Sequence, residues 1–148
     1  MLREARSRLD ACHVQGEADH LPLRDATFDF VAMGYALRHV QSLEGAFAQY
    51  YRILRPGGTV LLLEVTKPNN RLGLALMKFY FRDVVPLLTK LLTRSRAAGD
   101  MMLYHWETID QMVPPDQVLR ALEAVGFTDV RCHVAIRVFS EYTAKKPG

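Results

Sequence analysis

An α/β fold is the class this chain predicts, and three observations carry it. The run Arg52–Thr66 joins a helix end, a Pro-Gly-Gly turn and an apolar strand, Phe28–Gly34 is a second apolar run of strand length, and residues at helical spacing fill the stretches between. Strand, helix, strand, helices, helix and a closing strand pair make one sheet layered with helices. With 148 residues, 49% hydrophobic and 24% charged, the composition is that of one globular unit with a single core.

Taken in order, Leu2, Ala5 and Leu9 share a helical face, so the sequence opens in a helix with no capping residue ahead of it. A short strand is expected at Cys12–Gln15, followed by a loop at Gly16–Leu23 that Gly and Pro punctuate. The apolar run Phe28–Gly34 suits a strand covered on both faces, as in parallel sheets. Ser42 can cap the next helix with Glu44 in its first turn, and Leu43, Ala46, Phe47, Tyr50 and Leu54 supply its buried stripe. Arg52 and Arg55 suit the negative end of the helix dipole, Pro56-Gly57-Gly58 ends the helix, and Thr59–Val65 is the next strand.

From Asn69 to Met112 the pattern is helical, with apolar faces from Leu72, Leu76, Phe79, Val84, Leu87, Leu88 and Leu91, and Pro86 should kink or split it. A last helix starts near Pro115, buries Val118, Leu119, Leu122 and Val125, and stops at Gly126. Val130, Cys132, Val134 and Ile136 then alternate with polar residues, and Val138–Ala144 forms the closing strand.

Several functions are disfavoured. Nineteen Lys and Arg against sixteen Asp and Glu give a net charge of +3 with no basic block, which argues against nucleic acid. Cys12 and Cys132 are the two cysteines, and that number fits reduced thiols in a cytoplasmic protein. Each precedes a histidine (His13, His133), but neighbours on a strand point to opposite faces, so no metal site is expected. No secretory leader or membrane span is read: Lys78, Arg82, Asp83 and Lys90 break the most apolar stretch, Leu72–Leu92.

Candidate chemistry gathers beyond the carboxyl ends of the strands, where open α/β sheets bind ligands. Glu17 in the loop Gly16–Leu23 can accept a hydrogen bond from a bound nucleoside, and Arg38 and His39 in the stretch Met33–Val40 can face a substrate. The bland alternatives are a solvated carboxylate and an arginine paired with an acid.

Gly16-Glu17-Ala18-x-x-Leu21-Pro22, then Thr27-Phe28-Asp29, then Leu37-Arg38-His39-Val40, then Arg52–Thr66, resemble in order and spacing the ubiquinone/menaquinone biosynthesis C-methyltransferases, which are class I S-adenosylmethionine-dependent enzymes. The resemblance implies a partial Rossmann-like fold with S-adenosylmethionine as cofactor. It places Glu17 and Ala18 at the adenine, Gly34 at a strand end close to it, and Arg38 at the substrate. The family usually has Asp or Asn where this chain has Glu17, and Asn where it has His39. Ile53, Arg55 and Thr66 are mild replacements for Val, Lys and Ser.

By the same resemblance residues 1–148 are an N-terminally truncated methyltransferase domain with a helical lid-like insertion at about 69–112. The sheet then lacks its first two strands and the Gly-rich cofactor loop, leaving Phe28–Gly34 with a bare apolar edge. A rearranged sheet, strand exchange into a homo-oligomer, or insolubility is expected.

Methyl transfer to carbon is an in-line displacement in which positioning supplies ~7–11 kcal/mol. The resemblance implies a small aromatic or quinol-like, lipid-like acceptor. Arg38 can stabilise its oxyanion, and a water or His39 can serve as base, the intrinsic range of imidazole suiting the task, while a capping or packing histidine is the bland alternative. Leu72–Leu92 can cover a lipid-like substrate or rest on a membrane surface, as in a cytoplasmic protein peripheral to the inner membrane, and helices packed on the sheet are the bland alternative, favoured by a small margin. A different class is a non-catalytic fragment or pseudoenzyme that binds a protein through its bare edge.

Overall fold

Four strands hydrogen-bond in the order β1-β2-β4-β3 in the computed structural model, which describes residues 8, 10–65, 71–85, 87–88, 113–135 and 139–148. In chain order the elements are β1 (Phe28–Gly34), a 3₁₀ turn (Leu37–His39), α1 (Leu43–Ile53), β2 (Leu54–Val65), α2 (Arg71–Phe79), a π-helical turn (Tyr80–Val84), α3 (Pro115–Val125), β3 (Thr128–Ala135) and β4 (Phe139–Lys145). β1 and β2 are parallel and joined through α1, whereas β4 runs antiparallel to both β2 and β3.

The sequence explains why the helices form where they do. Ser42 holds an extended backbone and its hydroxyl accepts the Gly45 N–H at 3.1 Å, satisfying one of the free donors at the start of α1. Pro115 opens α3, where a missing N–H costs nothing. Gly126 ends it at φ 105°, its N–H reaching Glu123 O and the Phe127 N–H reaching Leu122 O.

Both helices pack on one face of the sheet. Ala46, Phe47 and Tyr50 of α1 and Val118 and Leu122 of α3 share a core with Leu54, Val60, Leu62, Tyr142 and Ala144. Burying each larger apolar side chain among these contributes about 1.5–3 kcal/mol. Lys146 ties the chain's last turn to this core: its Nζ donates to Tyr51 O at 2.8 Å and Leu54 O at 2.9 Å and lies 4.6 Å from the Tyr51 ring centre.

The other face departs from expectation. β1 was expected to be covered on both sides, yet Phe30 is 54% exposed, and Leu63 and Phe139, on the same face of the neighbouring strands, are also exposed. The reason is that α1 and α3 lie together on the opposite face, and among the described residues no strand pairs with the outer edge of β1.

Two further expectations change. Residues 12–15 form no strand: Glu17 and His20 make only an isolated bridge, and an extended segment without a ladder partner gains nothing from strand geometry. Leu54, not Thr59, begins β2, and Pro56-Gly57-Gly58 bulges from within it. Phe28 pairs with Leu54 and Phe30 with Thr59, so four residues of β2 stand opposite Asp29 alone. Arg55 therefore lies outside the helix and pairs with Asp29 at 2.7 Å.

α2 and the π-helical turn place Leu72, Leu76, Phe79 and Tyr80 in solvent. The expected opening helix at Leu2, Ala5 and Leu9, the break at Pro86, residues 89–112, and Ile136 and Val138 lie outside the described residues.

Candidate functional site

The loop that carries Glu17 is shaped by contacts within itself and by one arginine. The His20 N–H donates to Glu17 O at 3.0 Å, closing a turn, and a Cβ added at Gly16 would lie 2.7 Å from Pro22 Cδ, so the loop closes tightly only because residue 16 has no side chain. Arg52, on the last turn of α1, donates to Leu23 O at 2.7 Å and Leu21 O at 2.9 Å. It also pairs with Asp25 and with Gln49 Oε1 at 2.9 Å.

Across from this loop, the chain leaves β1 through Tyr35, a non-glycine residue at φ 56°, whose N–H is held by Leu63 O at 2.7 Å. The left-handed backbone turns the chain sharply into the 3₁₀ turn Leu37–His39. Glu64, 5% exposed at the end of β2, fixes that turn. Its carboxylate accepts the Leu37 N–H at 3.0 Å and the Val65 N–H at 3.1 Å, and Arg38 Nη1 lies 3.4 Å from it.

These two segments enclose a cavity of about 230 Å³ lined by Glu17, Ala18, Asp19, His39, Val40 and Gln41. Asp19 Oδ1 is buried with no hydrogen-bond partner, an unmet acceptor in the wall. Burial, with Asp19 as the second cause, pushes the Tyr50 phenol above its ordinary value, and the Tyr50 hydroxyl donates to Met33 Sδ at 3.2 Å.

Of the residues singled out by sequence, Glu17, Ala18 and His39 come together on this cavity. Arg38 does not join them: its guanidinium turns to Glu64, the paired-arginine arrangement, while its Nε stays buried without a partner. Gly34 is also outside the lining, and a Cβ there would meet nothing within 4 Å, so the space beside the end of β1 is open. Among the described residues no cluster of His, Cys, Asp and Glu could hold a metal, and no helix is long and apolar enough to cross a membrane.

Sequence reasoning missed Glu64, Arg52 and Asp19 as parts of the site. A lone acid inside the apolar run Val60–Val65 is the signal that marks Glu64, because an ionisable group in a buried strand requires partners. The role of Arg52 depends on carbonyls 29 and 31 positions away, which no local pattern discloses.

An acceptor-lined cavity at the carboxyl end of parallel strands suits the donor edge of a nucleobase. The sequence profile of the ubiE/COQ5 methyltransferase family matches residues 1–139. A demethylmenaquinone methyltransferase of Roseiflexus sp. (strain RS-1) is 34% identical over 120 residues, covering 81% of this chain and 49% of that protein. A ubiquinone/menaquinone biosynthesis C-methyltransferase of Saccharophagus degradans is 33% identical over 122 residues, covering 82% of this chain and 47% of that protein. The chain spans about half the length of these curated relatives. In fold it is similar to a SAM-dependent methyltransferase of Aquifex aeolicus, with TM-score 0.63 at 14% identity over 97% of this chain and 60% of that one. The profile and the identities to these relatives agree, and the chain belongs to the ubiE/COQ5 methyltransferase family.

Proposed function

We propose that this chain supplies the C-terminal half of a methyltransferase domain that moves a methyl group from S-adenosylmethionine to a carbon of a small aromatic or quinol-like acceptor. The observation that carries the reading is the shared cavity of Glu17, Ala18 and His39 beside the 3₁₀ turn that bears Arg38. The exposed Glu17 carboxylate on the cavity fits the base end of the cofactor, because it accepts from N–H donors. When bound, S-adenosylmethionine supplies an electrophilic methyl group.

The chain's own residues orient and ionise the acceptor. Arg38 cannot act as a base, since its guanidinium stays charged. Its guanidinium, held by Glu64 at 3.4 Å, would donate to the acceptor's oxyanion on turning from Glu64 toward the cavity. His39 is exposed on the cavity wall, where it or a water it holds takes the hydroxyl proton. The exposed apolar residues of α2 support a lid-like insertion that meets a lipid-like acceptor or the inner membrane surface from the cytoplasmic side.

Coverage of only about half of each relative, together with an outer edge of β1 that no strand pairs among the described residues, supports the truncated-domain reading. The experiment is calorimetric titration of S-adenosylhomocysteine into the chain, alone and preceded by the residues its upstream in-frame codons encode. Binding that needs Glu17 supports the proposal, and no binding in either form refutes it. In the form that turns over, His39→Asn should lower turnover, and turnover unchanged across pH would remove His39 as base.

The uncovered face of Phe30, Leu63 and Phe139 favours a second reading, a protein-interaction module without catalysis. A stop codon directly upstream, combined with no cofactor binding, would select it.

A further inference from the structure

The geometry points to Arg52 as the positioning residue that fixes the cofactor-side loop, a role that rests on the reading that Glu17 and Ala18 meet the nucleoside. Its fork is spent almost wholly on that loop. Nη2 donates to Leu21 O at 2.9 Å and Nη1 to Leu23 O at 2.7 Å, with Asp25 on the same nitrogen. Gln49 Oε1, one turn back on α1, accepts from Nε at 3.2 Å and from Nη2 at 2.9 Å and aims the guanidinium.

The loop has few other ways to hold its path. Pro22 has no N–H to donate, so this stretch has one backbone bond fewer to hold it, and the carbonyls of Leu21 and Leu23 beside it both accept from Arg52. Beyond Asp25, the Ala26 N–H bonds Arg52 O at 3.0 Å and the Thr27 N–H bonds Ile53 O at 2.8 Å, which seats the chain on the free carbonyl end of α1. Leu21 follows directly on the turn closed by Glu17 and His20. Arg52 thus anchors the downstream side of the segment that lines the cavity with Glu17, Ala18 and Asp19. A planar fork reaches two carbonyls, an acid and an amide at once, whereas a lysine ammonium on its flexible stem cannot match that spread.

The test combines amide hydrogen exchange of the full 148-residue chain with titration of S-adenosylhomocysteine. Arg52→Gln should raise exchange at Glu17–Asp25 about tenfold while β2 and β4 keep theirs. Arg52→Lys should fall between, and Arg55→Gln, which frees only the exposed Asp29, should leave the loop as it is. Affinity for S-adenosylhomocysteine should drop by about 10-fold or more in Arg52→Gln. Loop exchange that does not change, or that rises equally in β2 and α1, overturns the assignment and leaves Arg52 a general stabiliser. If the wild-type chain binds no S-adenosylhomocysteine, the cofactor reading fails for this chain, and the exchange measurement still decides whether Arg52 holds the loop.

Discussion

Arg38 and Glu64 stand 3.4 Å apart at the ends of two elements that the sequence separates by 26 positions. The pair is nearly buried, and the acid also takes two backbone N–H groups, so it fixes the turn as well as the cation. Removing Glu64 by Glu64→Ala leaves Arg38 and both N–H groups uncompensated and should cost about 3–5 kcal/mol in urea unfolding. Glu64→Gln keeps one acceptor oxygen and should cost less, about 1–3 kcal/mol. A loss below the experimental error in both variants would show that the carboxylate does not hold the turn.

How much of this was legible in the sequence follows from the range of each interaction. Ser42, Pro115 and Gly126 act within a turn of themselves, and each does in the structure what its residue type predicts. Glu17, Ala18 and His39 were legible as candidates through motif order. An acid-paired Arg38 was legible as an alternative, but its partner was not, because only the sheet register brings Glu64 beneath it. The strand expected at Cys12–Gln15 failed for the same reason in reverse: a short segment becomes a strand only where another strand can receive its hydrogen bonds.

The Tyr50 phenol gives a pH signature with a definite sign. Burial first, and Asp19 second, raise it above its ordinary value of 10.0, so above that pH the unfolded chain releases a proton the folded chain still holds. Stability from this group is complete below the ordinary value and is lost as pH rises through the folded one. Tyr50→Phe should therefore flatten the alkaline fall in stability relative to wild type. Parallel curves for the two proteins above pH 10 would contradict the assignment.

The bulge in β2 makes a separate prediction about glycine. Gly57 has φ 80°, which a Cβ disfavours, and Gly57→Ala should cost about 1–2 kcal/mol. Gly58 is limited by space: a Cβ there would lie 2.9 Å from Arg55 O and 3.2 Å from Asp29 O, both backbone atoms that cannot turn aside. Gly58→Ala should be the more damaging of the two. Thermal unfolding of the pair checks the order, and equal midpoints would mean that the bulge relaxes freely.

The edge of β1 is the most accessible prediction. Phe30 is 54% exposed on a strand whose outer edge has no partner among the described residues, and apolar edges of this kind pair with other chains. Sedimentation of the 16.8 kDa chain should show association that increases with concentration. Phe30→Lys places a charge on that edge and should shift the population toward the monomer, while Glu44→Lys on the far side, in the first turn of α1, should not. Phe30→Lys should also lower binding of an apolar dye, because it removes the most exposed of Phe30, Leu63 and Phe139 from the uncovered face. A wild-type chain that sediments as a monomer at every concentration and binds no dye would mean that this edge is covered in solution.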